Sequence, residues 1–376
     1  MSEDRGLLRG ISWHECFPWL ILFRATLIGF YLRVLLLAYL GVCVLAIGQW
    51  IGLSLFGSWA AEGAGPAVAA SPTNFLDIVR EGLSGENPFG QIFPYPTFGG
   101  LVAFLFYSLW YIATFAIFGG AISRIAAMEF AVNDRCGLKG ALAHSLRKFI
   151  SYFLSPIFPM VGVTMLMVIL LVFGLINWLG PWAAVVTGIF GFIAVFVSLG
   201  IGMLVVPFIL GWPLMWGAIS TECSDHFDAL SRCYAYVTQR PFHYLLYLMV
   251  AFFGGSVGFF AISLLVGTSL AALSTGLLWG QGMDQTEAIF THSVAGPIWR
   301  FWYHAVERLV PAYMFGYFFA VFAGIYLLLR RDVDQAEIDE IVLDEDQPRF
   351  AMPALNKDLG GDEAKPEDDS TENDTN

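Results

Sequence analysis

Only a few side chains in this 376-residue chain are of types that do chemistry, and their spacing limits what they can do together. Cys223, Asp225 and His226 are metal-capable types close in sequence. On a helix they do not share a face, and no second cluster completes a four-ligand shell. His304 and Glu307 stand one helical turn apart, the spacing of half a carboxylate–histidine pair, although a polar contact at an interface explains them as well. His14 and Glu15 form one more isolated pair. The sequence contains no nucleophile–base set, no Gly-rich phosphate loop and no basic–aromatic surface suited to nucleic acid. These residues point away from an enzyme, a metal centre or a bound cofactor.

The elements that carry them are far more legible. Phe149 to Thr221 is a run of 73 residues with no Asp, Glu, Lys, Arg or His, where an average soluble protein would carry roughly 18 charges. That is too long for one crossing of a bilayer, and Asn177-Trp178-Leu179-Gly180-Pro181 supplies a turn near its middle, so it reads as a helical hairpin. With its two arms at about 157–178 and 183–206, and further charge-free segments at about 34–56, 100–122, 244–268 and 310–329, the count is six crossings. Composition agrees: 57% of residues are hydrophobic and 13% charged. The expected fold is all-α, a polytopic membrane protein with six transmembrane helices.

Charge sets the sidedness. The net charge of −12 resides in residues 332–376, which hold 16 acidic and 3 basic side chains and read as a largely disordered acidic tail behind a membrane domain of residues 1–331. Placing both termini in the cytoplasm leaves only Arg80, Arg300 and Arg308 on the outer side, against 16 Lys and Arg inside. The five cysteines form no CxxC pair and none falls in an outer segment, which argues against a disulfide framework. The first long charge-free segment starts beyond residue 33, too late for a cleavable signal peptide. The expected location is the bacterial cytoplasmic (inner) membrane.

Residues Cys16–Leu32 carry Arg24 at their centre, so this stretch is expected to lie in the inner interface rather than to cross, with Arg24 snorkelling. Two more cytoplasmic-side helices are expected to be amphipathic. Leu138, Leu142, Leu146, Phe149 and Phe153 fall on one face of the first; Phe227, Leu230, Tyr234 and Val237 share a face of the second. Each follows an Ala-Ile-Ser, at 121–123 and 218–220. The chain then reads as three repeats of interfacial helix, outward span, loop and inward span, or, equally, as the basic helices that any multi-span protein carries between its spans. Arg124, Arg147 and Lys148 are the candidate contacts to anionic lipid headgroups. The outer loop 57–98 is expected to hold a short helix near Asn74–Leu83. Trp299, Trp302 and Tyr303 suit an aromatic belt, and a few helical turns are expected to prolong the last span through Ile338 and Ile341. Gly254 and Gly258 suit close packing within the bundle, and Pro207 and Pro213 are expected to kink or stop the fourth span.

The spans hold essentially no ionisable group, which lowers the expectation of ion- or proton-coupled transport. Ala121–Ala131, the helix at 141–153 and Phe227–Val237 followed by Gln239-Arg240-Pro241 resemble uncharacterised bacterial multi-pass membrane proteins. These are loosely similar to the membrane domain beside some glycerophosphodiester phosphodiesterases. The resemblance covers residues 11–331 and implies a six-span helical domain with interfacial helices; the phosphodiesterase catalytic domain has no counterpart in the chain. The function expected is that of a non-enzymatic membrane protein organising membrane lipids or a membrane-protein partner. The alternative is a transporter or channel for a neutral or amphiphilic solute. Oligomeric state is not readable from the sequence.

Overall fold

The computed structural model describes residues 17–63, 98–133, 136–282 and 292–342. The expected helix near Asn74–Leu83, the His14-Glu15 pair and the acidic tail beyond Val342 lie outside them. Among the described residues six helices are long and apolar enough to cross a membrane: Leu32–Gly57, Gly99–Ala131, Phe149–Leu179, Gly191–Glu222, Pro241–Gly280 and Ala295–Asp334. The protein is an all-α, multi-pass membrane protein.

A 3-10 turn at Pro18–Leu22 leads into α1 (Phe23–Phe30) and then α2 (Leu32–Gly63). Helices α3 (Phe98–Thr114) and α4 (Gly120–Ala131) make one span, joined by a π-turn at Phe115–Gly119. Next come α5 (Leu138–Arg147), α6 (Phe149–Ile176), α7 (Pro181–Ile189), α8 (Gly191–Glu222), α9 (His226–Gln239), α10 (Pro241–Gln281), α11 (Ala295–Glu307) and α12 (Leu309–Asp334). The α6–α7 turn forms where the sequence places it. Gly180 adopts φ 115°, a conformation side chains avoid, and Pro181 opens the next helix.

Each of the three long helices leaving the charged end of the bundle is preceded by a short one, and a single residue breaks each pair. Tyr31 (φ −61°, ψ 129°) separates α1 from α2, Lys148 (φ −96°, ψ 15°) separates α5 from α6, and Arg240 (φ −129°, ψ 56°) separates α9 from α10. The helix expected through Leu138 and Phe153 is therefore two elements, with Phe149 and Phe153 on the span.

The core is built around α12. The apolar stretch of the last span is largely buried inside the bundle, whereas that of the span containing α8 is not, so α12 is the strut and much of the α6–α8 hairpin is left uncovered by protein. Buried Tyr313 and Tyr317 on α12 need glycine opposite them: a Cβ at Gly258 would lie 1.7 Å from Tyr313 Oη, and one at Gly255 2.6 Å from Tyr317 Cε1. The Gly254–Gly258 pair thus packs α10 onto α12, as small residues do in membrane bundles. Tyr317 also donates to the Ala251 carbonyl at 2.5 Å.

Of the two effects expected of the prolines the stop is excluded, and the expectation about the tail is corrected. Pro207 and Pro213 do not stop the fourth span; both sit inside α8, which continues to Glu222. Prolines deprive such a helix of backbone donors, and neighbouring carbonyls find partners on other elements: Tyr234 donates to Leu204 (2.6 Å), Cys233 to Gly211 (2.8 Å) and Tyr244 to Leu210. After Asp334 the chain leaves the helix through Gln335 (φ 58°), so Ile338 and Ile341 pack on the core from an irregular segment rather than a prolonged span. Val342 then donates to the Thr221 carbonyl at 2.9 Å.

Candidate functional site

The three headgroup candidates have different fates. Arg124 is corrected outright: it is 2% exposed and donates to the Ser220 carbonyl (2.7 Å) and the Val342 carbonyl (2.9 Å). Lys148 is half-buried, with Nζ donating to the Cys223 carbonyl at 2.7 Å. Both cations thus serve the C-terminal end of α8, where unpaired carbonyls and the helix dipole attract positive charge. Arg147 alone of the three is exposed. Arg24 does not snorkel free either, since its guanidinium meets Asn133 Oδ1 at 2.5 Å and the Glu129 carbonyl at 3.1 Å.

Two carboxylates organise the rest of this end. Glu129 receives Arg33 at 2.9 Å and the Tyr31 hydroxyl at 3.2 Å, with Arg24 3.9 Å away. Glu222 receives Arg232 at 2.8 Å, Arg330 at 3.0 Å and the Tyr326 hydroxyl at 2.7 Å. Each joins several elements and each is matched by cations, so these clusters are structural ties. Neither presents a spare acid or base.

The short helices also turn unexpected faces inward. On α5 the buried residues are Ala141, His144 and Ser145, whereas Leu138 and Leu146 of the apolar stripe are exposed. Such an arrangement suits a helix whose stripe meets hydrocarbon and whose polar residues serve the bundle. Ser145 shows why: its hydroxyl reaches the Ala116 and Ile117 carbonyls, at 2.8 and 2.6 Å, inside the π-turn, where the regular ladder is interrupted. On α9 the fully buried set is Ala229, Cys233, Tyr236 and Val237, while Phe227 of the expected face is exposed and stacks edge-on to Phe158. Burial pushes the Cys233 thiol up and, with Cys233 beside it, lifts Tyr234 to about 12, so neither ionises near neutral pH.

The reactive types do not assemble. Cys223 ends α8 in a left-handed conformation (φ 54°), Asp225 precedes α9, and the His226 ring lies against Phe158. Among the described residues no group of three His, Cys, Asp or Glu is placed to hold a metal ion. His304 Nδ1 does meet Glu307 Oε2 at 3.0 Å, both well exposed. His292 takes backbone N–H groups of Val294 and Ala295 at the opposite end of α11, about 18 Å away at 1.5 Å per residue, and does not join them.

A cavity of about 1130 Å³, open to the outside of the bundle, lies between α2, α3, α8, α10 and α12. Phe115, Trp212, Phe252, Phe315, Phe318 and Phe322 form much of its wall, and no charged side chain lines it. Its polar groups are largely spent on one another or on backbone: Gln49 donates to Tyr111 (2.7 Å), Ser256 to the Phe252 carbonyl (2.8 Å) and Tyr317 to Ala251. The wall on α12 runs from Pro311 to Phe322 and that on α2 from Val42 to Gln49, which places the space in the middle of the spans. Sequence reasoning missed it; the available signal is the aromatic density of Tyr313–Phe322, far above what packing against glycine requires.

No protein-family model, curated protein or solved structure matches this chain.

Proposed function

We propose that the protein handles membrane lipid by holding the hydrocarbon chain of an amphiphile in its mid-span cavity. The observation that carries this reading is the cavity wall, apolar and uncharged, with Gln49, Ser256 and Tyr317 already hydrogen-bonded. A space of this kind offers water too few partners to enter. Left unfilled, it would forfeit the dispersion contacts of its lining. Acyl chains are the solvent at that depth, and they satisfy both conditions.

The charged end, by the Lys and Arg bias, is assigned to the cytoplasmic face of a bacterial inner membrane, with both termini there. A reporter fused behind Asn376 tests this; activity on the outer side reverses it. The ligand reading is tested by purifying the full chain in mild detergent and weighing it with its bound lipids. The wild type is expected to retain more lipid than Ala46→Trp, which places an indole in the cavity and obstructs part of it, at unchanged helical content. Equal retention removes the proposal.

A second reading, a transporter of the same amphiphile, rests on the cavity's mid-span position. Lipid translocation in reconstituted vesicles separates it from simple holding. The resemblance to the membrane domain beside phosphodiesterases adds an expectation of fold, and no phosphodiesterase activity is proposed.

A further inference from the structure

The three single-residue breaks invite comparison. In the first unit Arg33, two residues past the break, donates to the Cys136 carbonyl (3.0 Å) and pairs with Glu129, so it is consumed by the chain that follows the second span. In the second unit Lys148, at the break itself, is consumed by the Cys223 carbonyl after the fourth span. The matching cation of the third unit is Arg240, and the matching place is the chain that follows the sixth span.

There the pattern fails in an informative way. Arg240 and a second cation, Arg331, line one pocket of about 370 Å³ together with His243, Asp332, Gln335 and Glu337. Among the described residues no side-chain hydrogen bond or ion pair is made by either arginine or by His243. Asp332 and Glu337 offset part of this charge at a distance, but neither forms an ion pair with the arginines: the Asp332 carboxylate accepts the Tyr247 hydroxyl at 2.6 Å, and Glu337 stands exposed on the rim. The pocket also opens at the start of the 41-residue α10, whose first turn has no side-chain cap. Free first-turn N–H groups and the dipole add to its preference for an anion.

We propose that this pocket binds a phosphate group, held between the Arg240 and Arg331 guanidiniums with His243 as a further donor. Two guanidiniums lining one pocket suit the several oxygens of a phosphate better than a single carboxylate. The phosphate comes either from a lipid headgroup, since the pocket lies at the level where the spans leave the membrane, or from solution. The site is separate from the mid-span cavity, and its failure leaves the cavity reading intact.

The test uses the full chain in phosphatidylcholine nanodiscs, with and without phosphatidic acid, and reads the thermal midpoint and the lipid retained. If the phosphate is lipidic, phosphatidic acid raises the midpoint of the wild type, and Arg240→Gln/Arg331→Gln loses most of that rise with at least severalfold weaker retention. If it is soluble, inorganic phosphate, but not chloride at equal ionic strength, raises the midpoint in phosphatidylcholine alone, again only with both arginines present. Lys139→Gln, which removes an exposed cation elsewhere, should respond like the wild type. Arg240→Gln alone, at an exposed position, keeps the comparison open if the double variant folds poorly. The proposal is overturned if neither phosphate source stabilises the wild type, or if the arginine variants respond as it does.

Discussion

At the scale of single residues, the basic side chains near the charged end differ by what they touch rather than by their charge. Arg124 is the sharpest case. Arg124→Gln should cost about 2 kcal/mol, because it strips a charged donor from the buried Ser220 carbonyl and the part-buried Val342 carbonyl, and should lower the thermal midpoint in detergent without altering lipid retention. Arg147→Gln, at an exposed site, should shift stability by no more than about 0.5 kcal/mol. A reversed order would mean that Arg124 does not tie α8 to Val342. Cys233, sealed against Gly211 with its thiol pushed up by burial, should resist alkylation in the native protein and react only on unfolding, while partly exposed Cys136 reacts in the native state. None of this was readable from charge and position alone. Arg124 sits in a sequence context that suits lipid headgroups, and its tertiary contacts, to Ser220 and Val342 among them, accompany its burial.

At the scale of elements, most boundaries follow from local pattern, and the departures come from tertiary contacts. The hairpin turn and all six spans are visible as charge-free runs and a Gly-Pro break. The faces of α5 and α9 are not, because a hydrophobic wheel assumes that apolar means buried, whereas hydrocarbon outside the bundle accepts Leu138 and Leu146 just as well. Ser145 is expected to matter more than its size suggests: Ser145→Ala, leaving the π-turn carbonyls without their donor, should cost about 1 kcal/mol. The α10–α12 contact is tested by Gly258→Ala, whose added Cβ overlaps Tyr313 and should cost about 1–3 kcal/mol. Combining it with Tyr313→Phe, which deletes the overlapping hydroxyl, should restore part of the loss. Simple additivity of the two changes would contradict the packing described.

At the scale of the whole molecule, a buried strut, a hairpin largely uncovered by protein and a ring of ion pairs at one end leave a large hydrocarbon-lined space at mid-span. The sequence carries the membrane class plainly, because the bilayer constrains composition so strongly. It hides the cavity, because a cavity is a lack of packing between Phe318, Phe115 and Phe252, which lie on three different helices. The most direct measurement is crosslinking with a lipid that carries a photoactivatable acyl chain, in nanodiscs, with the modified residues mapped. Occupancy of the cavity predicts adducts at Phe318 and Phe322 that weaken in Ala46→Trp, while adducts on the exposed Phe196 persist. Adducts confined to Phe196 and the rest of the hairpin, or unchanged at Phe318 in the obstructed variant, would contradict it.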